Sequence, residues 1–164
     1  MTKSKDYRLD SRTKEQFAAD IKSATLQEKE LMKLYVGWLN ASGKGKYGFT
    51  DNGVDNSGEY LEPGKAHAAA DFVLHKEGGR DKLVEIKFAR NDISSFNFKV
   101  AQLEKYVRED VCIINFMGVE TQNRRFCIFT PASLKEALAS GERKRMWYKD
   151  CIRFKTNQQK WYSV

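Results

Sequence analysis

No stretch of the 164-residue sequence approaches the run of about 18 apolar residues that a helix needs to cross a membrane. The opening residues 1–14 are polar and lack the apolar core of a signal peptide, so the chain is expected to stay inside a cell, in the cytoplasm or nucleoid. Cysteine is sparse: Cys112, Cys127 and Cys151 make an odd number, form no Cys-x-x-Cys, and two of them sit in apolar runs. This argues against a disulfide framework and for free thiols. Histidine is scarcer still, with only His67 and His75, so a zinc site of the usual Cys/His spacing cannot be assembled from sequence neighbours. Internal repeats are absent too.

What is present is a globular composition, 41% apolar and 31% charged, which excludes long disorder and fibrous architectures. A chain of this length buries roughly 70% of its unfolded surface, so a single domain over residues 1–164 is expected. The net charge is +7 and unevenly placed. Residues 141–164 read as a basic extension, with Arg143, Lys144, Arg145, Lys149, Arg153, Lys155 and Lys160 against Glu142 and Asp150. Trp147, Tyr148, Phe154, Trp161 and Tyr162 are interleaved with them. Cations neutralise phosphates and aromatic faces stack on bases, so the mixture suits a nucleic-acid surface. It equally describes a solvated basic edge whose aromatics belong to the core.

Thr13 with Gln16, and Thr25 with Glu28, have capping-box spacing and predict two consecutive N-terminal helices. In the second, Leu31, Leu34, Tyr35, Trp38 and Leu39 form one apolar stripe. At 100° per residue, Glu28 lies about 50° from the centre of that stripe and Glu30 about 110°, so Glu28 is the better placed to look inward. Residues 41–64 are rich in glycine and polar residues and read as a mobile loop, either a connector or a substrate-contacting segment, with room for a short strand near 47–50.

Beyond it, Ala70, Phe72 and Leu74 alternate with Asp71 and Val73, a Gly78-Gly79-Arg80-Asp81 turn follows, and Val84, Ile86 and Phe88 alternate with Glu85 and Lys87. This predicts an antiparallel hairpin. Phe96, Val100, Leu103 and Val107 predict an amphipathic helix, Val111–Met117 a strand buried on both faces, and Arg125–Phe129 a further strand. Thr130-Pro131 opens a last helix that Gly141 can stop. The fold class is α/β in the α+β sense, a central mixed sheet flanked by helices.

The chemistry concentrates at Asp71, Glu85 and Lys87. Glu85 and Lys87 share one face of their strand, and Asp71 on the partner strand, about 4.8 Å away, can bring a second carboxylate beside Glu85. Two such groups repel unless a cation sits between them, and oxygen ligands with open positions suit magnesium or manganese. Lys87 would then stand beside the attacking water. The plain alternative is an exposed hairpin face with an ordinary Glu85–Lys87 surface ion pair, worth at most about 1 kcal/mol.

Ala70-Asp71, thirteen residues, then Glu85-Ile86-Lys87 at the end of the following strand resembles the signature of the PD-(D/E)XK nuclease superfamily. The resemblance covers residues 26–117 and the family's helix, three strands, helix, strand core, with Ala70 where a proline is usual. It implies a restriction-endonuclease-like fold and Mg2+-dependent hydrolysis of DNA phosphodiester bonds, with Mn2+ able to substitute. Asp71 and Glu85 match the metal ligands, Lys87 the residue beside the attacking water. Glu28 matches a glutamate often added from the first helix, and Gln102 a polar residue from the helix after the Glu-x-Lys strand. Ser94-Ser95-Phe96, Gln102-Leu103-Glu104 and Phe129-Thr130-Pro131-Ala132 look somewhat like RecU-type Holliday-junction resolvases.

The partner expected on this basis is duplex or branched DNA, gripped by Lys99, Arg143, Lys144, Arg145, Lys149 and Lys155; a solvated helix lysine is the alternative for Lys99. A homodimer is expected, since one site cuts one strand. A non-catalytic nucleic-acid-binding module on the same fold is the competing reading.

Overall fold

The computed structural model describes residues 13–52, 70–146 and 148–164. The capping box at Thr13 forms as its spacing requires: Gln16 N donates to Thr13 Oγ1 at 3.1 Å and Thr13 N donates to Gln16 Oε1 at 2.8 Å. Helix α1 then runs unbroken through Lys14–Ala41. Thr25 is not a second start. Its Oγ1 donates to the Ile21 carbonyl one turn back, at 2.8 Å, a bond that lets threonine sit inside a helix. The two expected N-terminal helices are therefore one.

A six-stranded sheet follows the order β1-β2-β3-β5-β6-β9, made of Tyr47–Asp51, Phe72–Lys76, Lys82–Phe88, Val111–Met117, Arg125–Phe129 and Tyr162–Ser163. Its pairings are antiparallel except between β3 and β5, so the sheet is mixed. The parallel step is bridged by β4 (Ser95–Lys99) and α2 (Val100–Glu109). A second, three-stranded sheet has the order β4-β8-β7, with β8 at Lys149–Lys155 and β7 at Glu142–Met146. Helix α3, Pro131–Ser140, starts at the Thr130 cap and ends at Gly141 as expected.

The helix expected from Phe96 begins only at Val100. Ser95-Phe96-Asn97-Phe98 alternates with period two, and both phenylalanines are buried, which is the pattern of a strand with one face in the core. The four-residue step from Phe96 to Val100 spans a strand-to-helix junction rather than a turn of helix.

Two apolar layers sandwich the large sheet. On one side Leu31, Met32 and Tyr35 of α1 pack on Phe72, Val84, Ile86, Ile114 and Phe116. On the other, Leu103, Tyr106 and Leu134 of α2 and α3, with Phe96, Phe98 and Phe154 of the small sheet, cover Val111, Ile113 and Phe129. Strand β5 is buried on both faces, which accounts for its unbroken apolar run.

Residues 141–164 are structural rather than an appended tail. They supply β7, β8, a short 3-10 turn at Thr156–Gln158, and β9. Phe154 stacks on Phe96 at 5.4 Å, Trp161 Nε1 donates to the Thr156 carbonyl at 2.8 Å, and Tyr162 packs on Trp38 and Phe126. Three of the interleaved aromatics thus serve the core, while Tyr148 is exposed and Trp147 lies outside the described residues. Truncating Phe154 to alanine should cost about 3–5 kcal/mol, as for other buried phenylalanines. A urea midpoint equal to wild type would refute that placement.

Of the glycine-rich segment 41–64, residues 47–51 form edge strand β1; residues 53–64, and with them most of the expected mobile loop, lie outside the described residues.

Candidate active site

The β2–β3 register pairs Phe72 with Val84, so the residue before β2, Asp71, falls opposite Glu85. Its Oδ2 accepts from Ile86 N at 3.0 Å, fixing the carboxylate against the neighbouring strand. Val84 and Ile86 are buried toward α1, which turns Glu85 and Lys87 to the α2 side. Lys87 Nζ donates to Gln102 Oε1 at 3.1 Å and lies 3.7 Å from Glu85 Oε1. Asp71, Glu85, Lys87 and Gln102 therefore converge on one spot. Glu85 is no surface residue: it is 8% exposed, and its Oε2 is buried with no hydrogen-bond partner.

Charge is costly in this position. Burial pushes the Asp71 carboxyl up to about 9, with Glu85 and then Glu28 adding to the rise, while the Ile86 N–H and Lys87 oppose it. Burial raises Glu85 as well, and Lys87 is the main counterweight. Without a cation, two adjoining carboxyl groups of this kind retain a proton near neutral pH.

Glu28 is half-buried on α1 and acts electrostatically on Asp71, whereas Glu30 is exposed and pairs with Lys33 at 2.9 Å. The helical period distinguished the two correctly. Tyr106 is a residue that sequence reasoning passed over. It lies one turn after Gln102 on α2, is buried, and sits against Glu85, whose charge together with burial pushes the phenol far above its ordinary range. The i, i+4 step from Gln102 was the available signal.

The donors suit a small hard cation. Asp71 and the unpartnered Glu85 Oε2 are carboxylate oxygens, and magnesium commonly takes one or two carboxylates, keeping its remaining positions for water and phosphate. Among the described residues no group of three or more His, Cys, Asp and Glu side chains is arranged to hold a metal.

The six basic candidates separate. Lys99 ends β4, three residues before Gln102. Partial burial, then Lys149, then Lys87 lower its pKa, so these three ammonium groups are neighbours. Lys144 pairs in register with Cys151, and Lys155 with Ser95. Arg143 and Arg145 alternate to the opposite face. Arg143 donates to the Leu138 carbonyl at 2.9 Å, and Arg145 lies 3.7 Å from Asp150. A cleft of about 310 Å3 is lined by Lys87 and Gln102 together with Asn97 and Lys99 of the small sheet.

No protein-family model matches the chain, and no curated protein matches it. Among solved structures the chain is similar to Archaeoglobus fulgidus Hjc, a Holliday junction resolvase from an archaeal hyperthermophile, with a TM-score of 0.44 and 10% identity, covering 80% of this chain and 85% of that one.

Proposed function

We propose that this chain is a magnesium-dependent endonuclease that hydrolyses phosphodiester bonds in duplex or branched DNA, with manganese able to replace magnesium. The observation that carries the reading is the buried Asp71–Glu85 pair, with an unpartnered carboxylate oxygen, set beside the Lys87 ammonium. Asp71 and Glu85 are the residues that would hold the cation. When bound, it neutralises charge building on the scissile phosphate and increases the acidity of water.

The chain's own residues do the rest. The Ile86 N–H orients Asp71 against the neighbouring strand, facing Glu85. Gln102 and Glu85 hold Lys87 between them, so its ammonium presents a fixed positive charge at the place where a water loses its proton. Glu28 adds negative potential at Asp71, which favours a cation over a proton at the pair only above neutral pH or at adequate metal concentration. Lys99 is within reach of an adjacent phosphate as a point charge. We take the working unit to be a homodimer, one site per strand, acting inside the cell.

The test is incubation with supercoiled, linear, branched and single-stranded DNA, with and without Mg2+, and Glu85→Ala as control. Cleavage that needs Mg2+ and vanishes in the variant is expected. Magnesium-dependent cutting retained by purified Glu85→Ala protein would sink the proposal. Salt-sensitive binding with no cleavage of any substrate would instead establish the non-catalytic module.

A further inference from the structure

The small sheet has two chemically opposite faces. Inward, β4 and β8 present Phe96, Phe98, Ile152 and Phe154 to the core. The register sets Lys99 and Lys144 on either side of Cys151, with Arg153 and Lys155 farther along the same face of β8 and Lys149 before them. Side chains directly opposite across antiparallel strands share a face, as do residues two apart. Lys99, Lys144, Lys149, Arg153 and Lys155 therefore form one outward array, interrupted by a single carboxylate, Glu142.

None of these five cations forms an ion pair among the described residues. The nearby Asp150 sits on the other face with Arg145. At the centre, the buried Nε of Arg153 has no hydrogen-bond partner. Holding five cations together with one carboxylate among them is unfavourable unless an anion is the partner, and partial burial followed by Lys149 lowers the Lys99 pKa accordingly.

We propose that this outward face of β4, β8 and β7 is the track on which the backbone of duplex DNA lies, leading one strand into the cleft at Lys87. The inference rests on the nuclease reading for the identity of the polyanion. Lys149 to Lys155 spans about 20 Å of extended chain, a length that covers about six base-pair rises of about 3.4 Å measured along the duplex axis. Composition favours paired over single-stranded DNA. Among the described residues every aromatic of the three strands faces the core, and the one exposed ring nearby, Tyr148 in the β7–β8 turn, stands at the end of the array rather than along it, so the strands offer cations for phosphates and no row of rings on which successive unpaired bases could stack. Arg143 and Arg145, although equally basic, take no part.

The face assignment is tested by fluorescence anisotropy with a labelled DNA duplex in EDTA, where no cleavage occurs. Lys144→Gln/Lys155→Gln and Arg143→Gln/Arg145→Gln lower the net charge equally, from opposite faces. The first pair should weaken binding at least about 10-fold and reduce the slope of log K against log salt by about two; the second should stay within about threefold of wild type. Equal losses from both pairs, or none from the first, overturn the proposal. So does displacement of the duplex by polyglutamate at equal charge concentration, which would assign the face to an acidic protein. If the first double variant melts early, each single variant should still lower the slope by about one. Because binding is read without metal, a protein that binds through this face yet never cuts once Mg2+ is supplied would refute the nuclease reading and leave the track intact.

Discussion

Replacing Lys87 with glutamine should lower the rate of magnesium-dependent DNA cleavage about 10³-fold while leaving the fold and duplex binding in EDTA near wild type. The magnitude is that of removing a group which both stabilises developing charge and assists a proton transfer. Two contacts define what is lost. The ammonium donates to Gln102 at 3.1 Å and stands 3.7 Å from Glu85, so it is held in place rather than swinging in solvent. It also lowers the Glu85 pKa against the effect of burial. Without it, Glu85 gives up its proton at a higher pH, and the residual activity should rise with pH further into the alkaline range than that of wild type.

Lys87→Arg separates the two effects. It keeps the charge that ionises Glu85, so Mg2+ affinity should stay close to wild type, but a planar fork cannot occupy the position of a compact ammonium, and most of the rate should still be lost. Rates measured in single turnover across pH 6–10 would decide. Wild-type cleavage by Lys87→Gln would remove Lys87 from the chemistry altogether.

Most of this site was legible in the sequence because it depends on strand geometry, which has a strict period. Two-residue alternation placed Glu85 with Lys87, and hairpin pairing placed Asp71 opposite Glu85, without any knowledge of the rest of the chain. The 100° step per residue separated Glu28 from Glu30 in the same way. What escaped was information held by tertiary partners. Thr25 followed by Glu28 has the letters of a cap, but the preceding turn was already helical and satisfied its hydroxyl from Ile21. Phe96 fitted a helical stripe until its partner, Phe154, was known to lie in a strand more than fifty residues later.

The same nonlocal pairing explains the basic segment. Seen along the chain, Arg143, Lys144 and Arg145 are one cluster. Folded, β7 sends Lys144 one way and its two neighbours the other, and only pairing with β8 shows which way is outward. The aromatics between them were ambiguous for a related reason: composition cannot distinguish a ring that stacks on a base from one that packs on Phe96 or Trp38.

Asp71→Asn should make the metal-free protein more stable than wild type at pH 8, by at least about 1 kcal/mol, while abolishing cleavage and the stabilisation that Mg2+ confers. The sign follows from linkage. The Asp71 carboxyl is pushed up from 3.8 to about 9, so the native state binds a proton that the unfolded chain has already released. Its contribution to stability is complete below pH 4 and is progressively lost as pH rises toward 9. Asparagine cannot ionise, yet its side-chain carbonyl can still accept from Ile86 N, so the local structure is kept while the cost of a second buried charge beside Glu85 disappears. Glu85 remains raised by burial in the variant, so the stability profile of Asp71→Asn should be shallower rather than flat.

Magnesium should act in the opposite sense on the wild type. Binding the native carboxylates displaces the retained proton, so added metal should restore stability most where the proton is easiest to remove, at pH 8 and above, and release acid as it binds. Thermal or urea unfolding across pH 5–9, with and without Mg2+, reads both effects at once. Identical pH profiles for wild type and Asp71→Asn would mean that the pair does not share a proton. Equal Mg2+ stabilisation of the two proteins would place the cation somewhere other than between Asp71 and Glu85.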